Sequence, residues 1–468
     1  MRKFSAVCVL LALIMSLSTN FAEAESETPK ALDLAMESVI DRDDGRSLAG
    51  LAVEAIRDGE VVYRYADGRR FIDNNNPERD LPFETDTRVR VASVSKTFVA
   101  VGIMQLVEQG KIDLDTDVSD YLGFELRNPS FPDTAITCRM LLSHTSSIRD
   151  GNRYSIALGH TLRECFEPQG AYYEDGAHFA GKEQKPGEYF SYANLNYGVL
   201  GTLLEAVSGE RFDRYMLEHV FRPMGVGASF HLSDFDESEM DKLAVIYRRE
   251  YNTYGEAEDD SGWVPQFDGL DYRSLDADSV FVPDPKNEDG FIVASVKNYV
   301  PGTNATIYSP HAGLRISADE LAECVRMFMN DGTVNGNQIL TPESVDTMFT
   351  PVWTWNGSED NSNGDVWGGL YACWGLGIQI ITNGAYNNGF GDNFLEDGFA
   401  QKLKLAGHYG NAYGGFSVFM LDRDAKAGFV YICNGTECSN YSYGNYSQNW
   451  IWAEEIVTAL FENIFNTG

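Results

Sequence analysis

Basic residues are scarce in this chain. Of 468 residues, 36 are Lys or Arg against 70 Asp or Glu, a formal charge of −34. An acidic excess of that size repels phosphate, which argues against nucleic acid and anionic membrane surfaces as partners. Beyond residue 24 no apolar run approaches the roughly 20 residues a membrane-crossing helix needs. The seven histidines and seven cysteines show neither His-x-x-x-His nor Cys-x-x-Cys spacing, so no metal and no cofactor is expected. Asp113, Asp115 and Asp117 alternate as in a calcium loop, but Val118 stands where that loop needs glycine. A capped turn is the better reading there. No internal repeat and no low-complexity linker divides the chain.

What is present is ample apolar material, 43% of residues. Residues 1–24 read as an export signal. Arg2 and Lys3 precede the apolar run AVCVLLALIMSL, and Ala22–Ala24 offers a small-residue cleavage site. The mature protein is then expected in the periplasm or secreted. Cys433 and Cys438 are the most plausible local pair in an oxidising compartment, although sequence does not fix the pairing.

Asp58-Gly59 between two alternating runs predicts a hairpin over 48–68. Three strands are predicted within 402–435, with a tight turn at 422–427. Helical spacing marks 31–45, the run from 93, 196–209, 316–332 and 450–465. Residues 232–310 and 351–400 show no clean period. Strands near both ends and helices between them predict an α+β fold. In it an antiparallel sheet, drawn from about 25–92 and 310–468, is flanked by helices. A mostly helical subdomain, about 93–310, is inserted, and all of 25–468 forms one catalytic domain.

Three short segments carry chemistry. In VASVSKTFVAVGIMQLVEQGKI (91–112), Ser93 and Lys96 are spaced to share one helix face. A helix start offers N–H groups where negative charge would develop on the serine. A lysine in a desolvated site loses basicity and can hold the serine proton. In FSYANLNYG (190–198), Tyr192 can act as a base beside a cationic lysine, and Asn194 can orient that lysine or a substrate carbonyl. In GHYGNAYGG (407–415), His408 is expected to face the pocket, and Gly410 to let substrate approach the strand edge. The Asn411 N–H could join that of Ser93 as an oxyanion donor. Each segment also has a plain reading: a serine helix cap, a core tyrosine, a loop histidine. Glu174 and Asp175, just before Tyr192, could attract a substrate amine or simply form an exposed acidic loop. His144 is read as holding a turn.

Taken together, Ser93-Val-Ser-Lys96, Tyr192-Ala-Asn194 and His408-Tyr-Gly410 resemble, in order and setting, the penicillin-recognising serine hydrolases. The likeness is to the branch of class C β-lactamases, DD-carboxypeptidases, D-aminopeptidases and related esterases. MLLSHTSSI (140–148) and AGLRISADELA (312–322) look like further signatures. The resemblance implies a β-lactamase/transpeptidase-like fold. It also implies Ser93 as the acylated nucleophile, Lys96 and Tyr192 as the proton-handling pair, and Asn194 as a polar contact. His408 stands where the lactamase branch has lysine, and Tyr409 where a small residue is often found. Histidine there resembles the peptidase members, so small-molecule amides or peptides with D-residues are the expected substrates. A broad esterase or β-lactamase, and a non-turnover β-lactam- or peptide-binding protein, stay open.

Overall fold

The computed structural model describes residues 30–40, 47–249, 262–268, 275–283, 291–358, 360–362, 369–384, 391–395, 403–436 and 444–466. The proposed export signal and Cys438 lie outside them.

At Asp58-Gly59 both residues take positive φ, 54° and 77°, the geometry of the tight turns that suit twisted strands. The turn joins β1 (Gly50–Arg57) to β2 (Glu60–Phe71). The sheet continues with β3 (Leu81–Pro82) and, from the far end of the chain, β4 (Trp353–Thr354), β5 (Cys373–Trp374) and β6 (Gln379–Ile380). It is completed by β7 (Ala406–Ala412), β8 (Gly415–Asp422) and β9 (Ala427–Cys433). Nine strands run in the order β4-β5-β6-β7-β8-β9-β1-β2-β3, and all are paired antiparallel. Thus β9 closes against β1, with Val53 opposite Tyr431, and the two ends of the chain share one sheet.

Alternation along β1 assigns its faces. Leu51, Val53 and Ala55 pack with a helix over 30–40, α1, and with the C-terminal helix. Ala52 and Ile56 join the opposite core, under helices from both the middle and the later part of the chain. Those helices are α2 (Ser95–Glu108), α3 (Leu195–Ser208), α4 (Ala318–Met329) and α5 (Pro342–Phe349). The C-terminal helix is α6 (Ile451–Leu460), extended by a wider turn over Phe461–Phe465. α2 is apolar nearly all round, because it lies between layers rather than on a surface. No described helix is long and apolar enough to cross a membrane.

The aperiodic stretch 232–310 contains strands as well as helix turns: Ile246–Arg248, Val264–Phe267 and the pair Ser279–Pro283 with Phe291–Ser295. Strands of three to five residues are too short to show a period.

Candidate active site

Ser93 lies in a tight 3-10 turn, Ala92–Val94, immediately ahead of α2 rather than in its first turn. Ala92 takes φ 45°, an unusual conformation for a residue with a Cβ. The surrounding structure holds it: Val91 N–H donates to Leu314 O at 2.9 Å, and Ser417 Oγ donates to Val91 O at 2.8 Å. Strain held by packing on both sides is a recurrent feature of functional turns.

One turn on, Lys96 is fully buried. Its Nζ sits 2.9 Å from Ser93 Oγ, 2.9 Å from Asn194 Oδ1 and 2.8 Å from the His311 carbonyl. The amide of Asn194 is fixed because its Nδ2 donates to Asp150 Oδ2 at 2.9 Å, while Asp150 Oδ1 accepts from Leu195 N–H at 2.8 Å. Two of the three neighbours of Nζ are therefore carbonyl oxygens, which accept only. A neutral amine donates its two hydrogens to them, and its lone pair is left facing Ser93. Burial lowers the Lys96 pKa to about 7, with Asp150 opposing. Near neutrality the amine is thus substantially uncharged and aimed at the serine hydroxyl.

Tyr192 completes the cluster. Its ring stacks on His144 at 4.2 Å and on Tyr371 at 5.3 Å, with Trp374 edge-on at 5.9 Å and His408 at 6.4 Å. Lys96 Nζ lies 4.9 Å from the ring centre. The expectation that a cationic lysine would draw Tyr192 toward phenolate does not hold. Burial drives its pKa well above 10, with Tyr371 adding to it and the Ser93 hydroxyl beside it pulling back. The buried phenol makes no hydrogen bond of ordinary geometry among the described residues. His144, with φ 57°, accepts on Nδ1 from Ala193 N–H and Asn196 Nδ2, each at 3.2 Å. It holds the turn as read, and it also supports Tyr192.

Two expectations for 407–411 are corrected. His408 does not face the cleft. It is fully buried behind Tyr192, edge-on to Trp374 at 5.4 Å, with Nδ1 2.6 Å from the Tyr409 carbonyl. Burial and the nearby Lys96 lower its pKa to about 3, so it is a neutral imidazole and not a substitute cation. Gly410 serves the protein rather than the substrate. A Cβ there would lie 2.2 Å from Val91 O, 2.4 Å from Ser417 Oγ and 3.2 Å from Ser93 N. Only glycine lets β7 pack against the nucleophile turn.

Asn411 lies near the end of β7, on the cleft wall. Ala412 and Gly415 close a two-residue turn and form a hydrogen-bonded pair. Asn411 and Phe416 are then a non-bonded pair, whose N–H and C=O groups point away from each other. β6 pairs only with Ala406 and Gly407, so it stops short of Asn411. The Asn411 N–H therefore faces the strand's outer edge, beside Ser93. Ser93, Tyr192, Asn194 and Asn411 line one cleft of about 860 Å³.

Sequence reading missed Asp150, the His311 carbonyl and the ring cage of Tyr371 and Trp374. Asp150 follows SHTSSIR and was visible as a lone acid, but nothing in its spacing tied it to Asn194. Glu174, weighed as an amine attractor, instead accepts from Asn152 N–H and Arg153, and neither it nor Asp175 lines the cleft. Asp150 is the acid that does.

An antiparallel sheet built from both chain ends, with serine, lysine and tyrosine converging beside the end of β7, defines a serine acyl-transfer scaffold. Comparison with known proteins agrees. A β-lactamase family model matches residues 36–446, and the chain belongs to the β-lactamase family of serine hydrolases. A putative penicillin-binding protein, PbpX, of Bacillus subtilis (strain 168) is 33% identical over 180 residues, 36% of this chain and 38% of that protein. Penicillin-binding protein 4 of Amycolatopsis lactamdurans is 25% identical over 352 residues, 69% of this chain and 78% of its own length. Among solved structures, EstCE1, described as a hydrolase with promiscuous acyltransferase activity, superposes with TM-score 0.60 at 21% identity, covering 92% of this chain and 99% of that one. The D-amino acid amidase of Ochrobactrum anthropi SV3, complexed with L-phenylalanine, gives 0.58 at 16%, covering 94% and 99%. At these identities the structures speak to fold alone.

Proposed function

We propose that this protein hydrolyses amides and peptides of D-residues through an acyl-enzyme on Ser93, outside the cytoplasm after loss of residues 1–24. The observation that carries the reading is the position of Lys96 Nζ, held by two carbonyl oxygens at 2.9 and 2.8 Å and lying 2.9 Å from Ser93 Oγ. In the first step the substrate carbonyl oxygen lies between the Ser93 and Asn411 N–H groups. Ser93 Oγ attacks the carbonyl carbon while its proton passes to Lys96 Nζ. The C–N bond then breaks, and the leaving nitrogen takes a proton relayed from Lys96 through the Tyr192 hydroxyl. Water then attacks the acyl carbon, giving a proton to Lys96; the bond to Ser93 Oγ breaks, Lys96 returns that proton to Oγ, and the acid is released. Tyr192 acts as a neutral relay, in keeping with its raised pKa.

A free amine on the substrate can meet Asp150 in the cleft, whereas Arg90, on the same wall, is already engaged by the Ala312 carbonyl and Ser309 Oγ. Asp150 lines the cleft and keeps lone pairs beyond the two bonds it accepts from Asn194 and Leu195. His408 offers no positive charge to a carboxylate. D-amino-acid amides therefore rank above D-Ala-D-Ala peptides and β-lactams. Esterase activity is the second reading, supported by a nucleophile that does not require an amide. A panel of D-amino-acid amides, their N-acetylated forms, a D-Ala-D-Ala peptide, p-nitrophenyl esters and nitrocefin separates these. Turnover of free-amine amides above the acetylated ones is expected, and preference for the acetylated forms overturns the role of Asp150.

A further inference from the structure

Beside Lys96, three successive carbonyls each accept from a basic side chain. His311 O accepts from Lys96 Nζ at 2.8 Å, Ala312 O from Arg90 Nε at 3.0 Å and Gly313 O from Arg315 Nη1 at 2.8 Å. Arg90 and Arg315 are opposite partners in a short antiparallel pair, Val89–Arg90 with Arg315–Ile316. Like charges directly opposite are unfavourable in a sheet, so two arginines there need a reason. We propose that Arg315 and Ser95 are positioning residues for the Lys96 amine: they fix the backbone at 311–314 so that the His311 carbonyl keeps that amine aimed at Ser93.

The turn that carries these carbonyls is tightly wound. Ser309 takes φ 53°, and its carbonyl accepts from Ala312 N–H at 3.0 Å and Gly313 N–H at 2.7 Å. A Cβ on residue 313 would lie 2.8 Å from the carbonyl oxygens of both Tyr308 and Ser309. Glycine is required there, and glycine holds its own backbone least firmly. Side chains from outside the turn supply the hold. Ser95, the first residue of α2, is fully buried and accepts from Leu314 N–H at 3.0 Å through Oγ. Arg315 is buried too. Its Nε and Nη2 meet Asp268 at 3.1 and 2.7 Å, which leaves Nη1 on Gly313 O. A planar fork locked along one edge by a carboxylate cannot swing, so its other edge fixes the peptide it meets. Neither Ser95 nor Arg315 lines the cleft, so each reaches the reaction through Lys96. The neutral amine has two hydrogens, and Asn194 takes one of them. Asn194 is anchored by Asp150; Arg315 and Ser95 give the second acceptor, His311 O, a matching anchor. If that carbonyl drifts, the amine can rotate away from Ser93 Oγ.

This inference rests on Lys96 being the base for Ser93, and a double-mutant cycle separates the two. The rate of Ser93 labelling by a fluorophosphonate is read from intact mass at pH 9, above the Lys96 midpoint, so that a shifted midpoint alone does not register. Arg315→Met and Ser95→Ala are each made in wild type and in Lys96→Ala. With Lys96 present, each change is expected to slow labelling about tenfold to hundredfold, the scale of a displaced reacting group. The half-saturating reagent concentration is expected to stay within about twofold, because the cleft wall is untouched. In Lys96→Ala, already slow, neither change is expected to matter by more than about twofold, because the group it positions is gone. S95A removes a single oxygen and keeps the test decisive if R315M does not fold. Slowing of equal size in both backgrounds marks a purely structural role and overturns the proposal, as does no slowing when Lys96 is present. If Lys96→Ala itself is labelled at the wild-type rate, the base reading fails instead.

Discussion

Lys96 sets the sharpest expectation. Moving its pKa from 10.5 to about 7 corresponds to roughly 5 kcal/mol against the charged form. That cost is borne by burial and only partly offset by Asp150. If the neutral amine takes the Ser93 proton, acylation follows the neutral fraction. About a tenth of that fraction is present at pH 6, half at pH 7 and nine tenths at pH 8. Pre-steady-state acylation by a p-nitrophenyl ester should therefore rise about ninefold from pH 6 to 8 and then level off. Asp150→Asn removes the carboxylate whose attraction favours the ammonium. It also replaces the acceptor that orients Asn194, so that amide can turn and take a carbonyl away from Nζ. Both effects disfavour the charged lysine, so the midpoint moves below 7. Lys96→Arg, which keeps its proton at any working pH, should cost 10²–10⁴ in acylation. A profile that is flat from pH 5 to 9, a midpoint near 10, or a midpoint that rises in D150N refutes the reasoning.

Other outcomes follow from neighbouring geometry. Tyr192→Phe should slow acylation by a D-amino-acid p-nitroanilide, whose leaving nitrogen needs the relayed proton, by about 10²–10⁴ while leaving the pH midpoint near 7, because the phenol stays protonated throughout; stopped-flow release of p-nitroaniline checks both. Gly410→Ala places a methyl 2.2 Å from Val91 O, so acylation should fall more than tenfold, with about 1–3 kcal/mol of stability lost in urea unfolding. Glu54 is fully buried in β1, with Arg64 Nε 3.5 Å from its Oε1 and Asp319 beside it. Burial raises its pKa from 4.5 to about 9. A carboxyl held neutral in the folded state contributes stability that is full below pH 4.5 and is lost as pH rises toward 9. The slope approaches about 1.4 kcal/mol per pH unit across that window. Glu54→Gln should flatten this part of the stability curve, read as urea midpoints at pH 5, 7 and 9; an unchanged slope removes Glu54 as its source.

Much of the site was legible because local rules fix it. A three-residue spacing brought Ser93 and Lys96 together, whereas the two-residue turn after Ala412, which sets the direction of the Asn411 N–H, was not read from the sequence. The Asp58-Gly59 hairpin and the three strands β7–β9 followed from period and turn chemistry. The closure of β9 onto β1 was inferred only as an economical way to use strands at both ends, since no local signal encodes a pairing across nearly 400 residues. His408 was misplaced because alternation along a strand gives two faces but not which of them is solvent. Its face turned out to lie against Trp374 and Tyr192. Gly410 was read for substrate access when the constraint was protein packing, visible only once Val91 stood opposite. Asp150 acts through Asn194, 44 residues away, and no periodic pattern announces such a contact.

The central claim is tested most directly by locating the covalent adduct. Wild-type protein is treated with a fluorophosphonate at pH 8, and its intact mass and peptide map are read alongside those of Ser93→Ala. One adduct per chain, mapped to Ser93 and absent from S93A, is the predicted result. An adduct on another residue, or equal labelling of the two proteins, contradicts the account.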